Sequence, residues 1–198
     1  ELGIETETLE GFLMPNTYFF SDEPSEREVV ERAARHFRRV WERLVQEYPE
    51  RAAELGPLRT ATIASLIERE AKTDEELAKV AGVIYNRLER GMTLDMDSTL
   101  QYLSGRWGER VLNADKEIAS PYNTYRNAGL PPGPIVSPSE ASLRAALDPA
   151  EHDYLYFVSN ADGATHTFSR TLAEHNRAVA RFRTEIAIQR AEERARGE

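Results

Sequence analysis

Between residues 26 and 48 the apolar side chains Val29, Val30, Ala33, Ala34, Phe37, Val40, Trp41, Leu44, Val45 and Tyr48 recur at helical spacing. Only a helix gathers such a set onto one side, so the spacing predicts a long amphipathic helix from about residue 26 to about residue 48. Ser25 and Glu28 stand before it as a capping box, each side chain satisfying a backbone N–H that a helix start leaves open. Its Arg and Glu face reads as solvated surface. The pattern then returns. Gly56-Pro57 opens a second helix, roughly Leu58 to Ala71. Thr73 and Glu76 read as the capping box of a third, which buries Leu77, Val80, Ala81, Ile84 and Leu88 and stops at Gly91. A short helix follows Asp97 or Ser98. Ser137, Pro138 and Glu140 start another that reaches about Leu147.

Strand character is confined to the ends. Residues 1–24 read as strand and loop around Phe12-Leu13-Met14 and Tyr18-Phe19-Phe20. Tyr154 to Val158 and Thr165 to Phe168 flank the turn Asn160 to Gly163 as a hairpin. Thr171 and Glu174 cap a last helix, whose end from about Ala187 is too charged to pack well. The expected class is α+β, mostly helical, with a small antiparallel sheet, in a single domain over residues 1–198.

Composition narrows the functions. A chain that is 40 % hydrophobic and 30 % charged can bury a core beneath a solvated surface. The net charge of −9, with no basic stripe, argues against a nucleic-acid partner. No cysteine is present, which excludes disulfides, thiolate metal sites and a Cys nucleophile. His36, His152, His166 and His175 form no HExxH or HxH pair, so no metal is expected; His166 and His175 read as structural hydrogen-bonders. No GxSxG or phosphate-cradling loop appears, and no cofactor is implied. No apolar run is long enough to span a bilayer. The chain opens on Glu1-Leu2-Gly3 and reads as part of something longer, with any anchor or address lying elsewhere.

Two places could carry chemistry. On the second helix Ile63, Ala64, Ile67 and Ala71 mark the apolar side, and Glu68 and Glu70 fall at its two edges. A carboxyl group drawn into apolar surroundings holds its proton to higher pH, as a general acid requires. A rim carboxylate paired with an Arg gives the same pattern, and the pattern does not choose between the two glutamates. The other place is the segment 119–137, with four prolines and two glycines. Tyr122, Asn123 and Tyr125 there mix aromatic faces with hydrogen-bonding groups, the combination a sugar ring needs. A rigid surface loop would look similar.

At these residues the chain resembles the YceG-like family of membrane-anchored endolytic murein transglycosylases. The blocks that carry the likeness are Leu9-Glu10-Gly11-Phe12-Leu13-Met14-Pro15-Asn16-Thr17-Tyr18 and Ala64-Ser65-Leu66-Ile67-Glu68-Arg69-Glu70-Ala71. Next come Val83-Ile84-Tyr85-Asn86-Arg87-Leu88 with Gly91-Met92 and Asp97-Ser98-Thr99, then Tyr122 to Gly133, Tyr154-Leu155-Tyr156-Phe157 and His175-Asn176. They span nearly the whole chain in family order. Met14, Asn16, Asp95 and Ser98 depart from the family's usual Phe, Asp, Gln and Pro.

The resemblance implies a lysozyme-like set of catalytic helices and cleavage of the β-1,4 bond between N-acetylmuramic acid and N-acetylglucosamine, giving 1,6-anhydromuramyl ends. It implies Glu68 as the single acid and then base, Glu70 in support, and Asp97, Tyr122, Asn123 and Tyr125 against the glycan. It also implies a LysM-like module before residue 1, a single membrane anchor with the catalytic domain outside the cytoplasm, and peptidoglycan synthases as partners. A muramidase with Glu70 or Asp97 as a second carboxylate, or a non-catalytic glycan-binding scaffold, would share many of these features.

Overall fold

A computed structural model describes residues 8–197. The expected strand and loop at 1–24 therefore lies partly outside the described residues, and residues 8–24 form turns and extended loop without a strand. In chain order the elements are α1 (Glu26–Glu47), α2 (Pro49–Glu70), α3 (Asp74–Glu89), α4 (Asp97–Ser104), a 3-10 turn (Asn113–Glu117), α5 (Glu140–Leu147), β1 (Tyr156–Ser159), β2 (His166–Ser169) and α6 (Leu172–Arg196). The class is α+β, as read from the sequence.

The second half of α2 is the axis of the fold. Its residues from Thr60 to Ile67 are all buried, because α5, α3, α1 and α4 pack around it. Helix α2 has two parts joined at Gly56, whose φ of 66° lies where a side chain is unfavourable. Pro57 then starts the second part with the φ it already favours. The preceding turn, beginning at Pro49, was not read from the sequence. The hydroxyls of Thr60, Thr62 and Ser65 would be costly orphans in this core. Each instead donates to a carbonyl one turn back: Gly56 O at 2.7 Å, Leu58 O at 2.8 Å and Thr62 O at 2.7 Å.

Helix α1 lays its apolar stripe over α2, with the Ser25–Glu28 capping box formed. Phe37 meets Phe12 edge to face, with ring centroids 5.1 Å apart, and so draws the N-terminal segment into the core. Gly11 is needed there: its φ is +82°, and a Cβ would run into the Pro134 ring.

The two strands pair antiparallel, Tyr156 opposite Ser169 and Ser159 opposite His166. They lie one or two residues beyond the expected segments. Helix α6 covers the hairpin but buries only Ala178, and from Ala187 to Gly197 it is exposed, as its charge suggested. The hairpin is fastened to α3 by side chains. Asn86 donates to the carbonyls of His152 and Tyr154 at 2.7 and 2.9 Å, and Arg87 Nε donates to that of Leu155 at 2.6 Å.

Two expected caps are built otherwise. The N-cap of α5 is Ser139, whose hydroxyl accepts from Ser142 N, and not Ser137. Thr73 occupies the N-cap of α3 but makes no side-chain cap: Glu76 N donates to Thr73 O at 3.1 Å, and the Glu76 carboxylate turns away to His166.

Candidate active site

A cavity of about 400 Å³ opens where the C-terminus of α2, the start of α4, the long loop and the hairpin meet. Glu70, Arg87, Asp95, Asp97, Tyr125, Ser159, His166 and His175 are among the residues that line it.

Glu70 is the last residue of α2, after which Ala71 turns extended. Its Oε1 accepts a 2.6 Å hydrogen bond from Ser98 Oγ in the first turn of α4. Burial pushes its pKa above the usual carboxylate value; neighbouring Asp97 pushes the same way, while Ser98 and His166 oppose. The net result is a carboxyl group inclined to keep its proton.

Glu68 is placed differently. It does not line this cavity. Its Oε2 accepts from Ser139 N at 2.9 Å, Ser139 Oγ at 2.6 Å and Ser142 Oγ at 2.7 Å. It therefore sits at the N-terminus of α5, where it accepts from a backbone N–H that the helix start leaves open.

The long loop is ordered by its own amides. Asn123, expected against glycan, is fully buried and takes no part in the cavity wall. Its Nδ2 donates to Lys116 O at 3.0 Å and Ile118 O at 2.9 Å, and its Oδ1 accepts from Tyr125 N at 3.0 Å. Farther along, Ile135 N donates to Ser65 Oγ at 3.0 Å, pinning the loop to the central helix. Tyr122 packs against Tyr102, ring centroids 5.1 Å apart and planes tilted by 41°, and also stands apart from the cavity. Tyr125 and Asp97 are brought together, with the phenol donating to Asp97 Oδ1 at 2.6 Å. Burial and that hydrogen bond raise the phenol's pKa, so it stays a donor at any working pH.

Asp95 has a φ of 52°, unusual for a residue with a side chain, and such positions cost about 1–3 kcal/mol. It is held there by its N–H on Thr124 O at 3.1 Å and by Arg87, 3.4 Å from Oδ2. Arg87 also donates to Thr93 O and Leu94 O at 3.1 and 2.8 Å, so one buried guanidinium ties the cavity floor to the hairpin. His175 stacks on Tyr156 at 5.3 Å, and its Nδ1 is buried without a hydrogen-bond partner. Burial, with Arg87 nearby, lowers its pKa and keeps it neutral.

Sequence reading missed Arg87 and the Glu76–His166 pair. Ninety residues separate that pair, and Glu76 gave the signal of a helix cap instead. Among the described residues no cluster of His, Asp and Glu could hold a metal ion.

The sequence matches the profile of the YceG-like family over residues 2–181. It is 41 % identical over 175 residues to an endolytic murein transglycosylase of Bacillus subtilis, covering 88 % of this chain and 48 % of that protein. An endolytic murein transglycosylase of Streptococcus pneumoniae is 31 % identical over 177 residues, covering 87 % of this chain and 32 % of the relative. The chain thus spans half or less of the length of these relatives. The crystal structure of a yceG-like protein from Listeria monocytogenes superposes with a TM-score of 0.76 at 36 % identity, over 85 % of this chain and 55 % of that one. Family profile, relatives and fold agree, and the chain belongs to the YceG-like family.

Proposed function

We propose that this chain is the catalytic domain of an endolytic murein transglycosylase, with Glu70 as its acid. The observation that carries the assignment is the contrast between the two glutamates. Glu70 presents a carboxyl group with a raised pKa to the polar cavity. Glu68 is committed to the N-terminus of α5.

In this reading a glycan strand lies across the cavity. Protonated Glu70 gives its proton to the glycosidic oxygen as positive charge develops on the muramyl ring. The muramyl C6 hydroxyl attacks C1 of its own ring and gives up its proton to a base in the cavity. The C1–O4 bond breaks, the C6–O–C1 bond forms, and a 1,6-anhydromuramyl end results with no water consumed. Asp97 lies beside the acid and is fixed by the Tyr125 phenol, so a negative charge faces the developing oxocarbenium ion. The substrate places the domain on the outer side of the cytoplasmic membrane. A tether would come from outside this chain, since no described helix is long and apolar enough to cross a membrane. Peptidoglycan synthases are the partners this reading expects.

A second reading has its own observation. Asp95 and Asp97 put two further carboxylates into the same cavity, and a carboxylate opposite the acid can activate water. The protein would then be a muramidase. Digestion of purified peptidoglycan followed by mass spectrometry separates the two: anhydromuramyl ends support the transglycosylase, and ends heavier by one water establish the hydrolase. Turnover by Glu70→Gln at the wild-type rate would remove Glu70 from either mechanism. If neither product forms while the strand still binds, the domain is a glycan-binding scaffold.

A further inference from the structure

The cavity holds a second group built to move a proton. His166 Nδ1 lies 2.7 Å from Glu76 Oε2, and the His166 backbone N–H donates to Glu76 Oε1 at 2.9 Å. Both side chains are nearly inaccessible, at 5 % and 8 %. Glu76 has given up the helix cap its position predicts to make this contact. A carboxylate held on Nδ1 fixes that nitrogen as the N–H and leaves Nε2 with its lone pair. Nε2 is 3.4 Å from Ser159 Oγ, and both Ser159 and His166 line the cavity that Glu70 enters. The ring is set by Phe157, edge-on at 5.5 Å. An oriented imidazole whose far nitrogen is locked by a buried carboxylate, and whose Nε2 has only a long contact to Ser159 beside a polar cleft, has the form of a general base.

We propose that His166, aligned by Glu76, is the base that takes the proton from the attacking muramyl C6 hydroxyl, while Glu70 acts only as acid. The inference rests on the transglycosylase reading above. The C6 oxygen bonds to C1, its proton passes to His166 Nε2, the C1–O4 bond breaks, and the Glu70 proton goes to the departing O4. The site is left with an imidazolium and a carboxylate, and transfer of one proton from His166 to Glu70 across the cavity restores it. The reaction thus uses two proton-handling groups in place of one glutamate acting twice. The titratable groups that face His166 are Glu76 from α3, Glu70 from α2 and Asp162 from the hairpin turn.

The test uses soluble, uncross-linked glycan strands and follows anhydromuramyl ends. His166→Gln should lower kcat about a hundredfold or more, with KM little changed. Its pH–kcat profile should lack the acidic limb that a general base imposes. In His166→Ala, added imidazole should restore turnover, which a packing role would not allow. The unmodified protein offers a check that needs no substitution: ¹⁵N shifts of His166 should show the proton on Nδ1. A proton on Nε2 overturns the proposal, as does a folded His166→Gln with wild-type kcat and an unchanged pH profile. Glu70→Gln run alongside separates the two claims. If it is inactive while His166→Gln is normal, the acid assignment stands and the base assignment falls. If it is active, both fall.

Discussion

Two glutamates lie two positions apart on one helix, and their environments divide their work. At the end of α2, burial and the neighbouring Asp97 carboxylate raise the Glu70 pKa and outweigh the Ser98 hydroxyl that opposes them, so the group is inclined to stay protonated. Glu68 is held by three donors at the start of α5. Truncation of Glu68 should therefore be read in stability. Glu68→Ala leaves Ser139 N–H and two hydroxyls without their acceptor, and should cost about 1–3 kcal/mol in denaturant unfolding. The folded fraction should keep its turnover. The periodicity of α2 located both residues at the edges of its apolar side, so the pair was legible in the sequence. Their roles were not, because Ser139, Ser142 and Ser98 come from elements that no local pattern brings to α2.

Among the elements, the long loop decides which of its groups reach the cavity. Its tyrosines and amides suggested sugar contacts, yet only Tyr125 of the three named residues reaches the cavity. Asn123 spends its amide on holding the turn that presents Tyr125. Asn123→Ala should destabilise the protein by about 1–3 kcal/mol, because a buried amide's hydrogen bonds to two carbonyls and to Tyr125 N are lost. It should also lower turnover by letting the Tyr125–Asp97 pair shift; catalytic assays at a temperature where the variant is fully folded check this. Helix signals were read well where cap and periodicity agree, as at Ser25–Glu28 and Thr171–Glu174. They misled where a tertiary partner outbid the cap. Thr73–Glu76 has the letters of a capping box, and His166 takes the carboxylate. The hairpin strands were found but placed one or two residues early, since the aromatic run from Tyr154 does not reveal where pairing begins.

Over the whole molecule, the site is assembled from pieces far apart in sequence: the end of α2, the start of α4, the loop and the hairpin. The helical frame was legible because it rests on local periodicity, while the cavity depends on packing between those pieces. This assembly has a cost that pH should reveal. Glu70's folded-state pKa lies above its unfolded value, so its contribution to stability is fully present below the ordinary carboxylate value of 4.5. That contribution is lost as pH rises through the raised folded value. Glu70→Gln cannot ionise and should escape the loss. Its thermal midpoint should exceed that of the wild type at neutral pH, and the difference should shrink to nothing below pH 4.5. Parallel midpoints across the range would mean that the carboxyl group is not strained in the fold. Activity and stability are expected to pull in opposite directions at this one residue.

The central claim is that Glu70, and not Glu68, handles the proton. The most direct measurement is the rate at which wild type, Glu70→Gln and Glu68→Gln release newly cut muramyl ends from the same glycan strands, each rate divided by the folded fraction. The account predicts a fall of about a hundredfold or more for Glu70→Gln and near wild-type turnover for Glu68→Gln. A folded Glu68→Gln that is dead beside an active Glu70→Gln would contradict it.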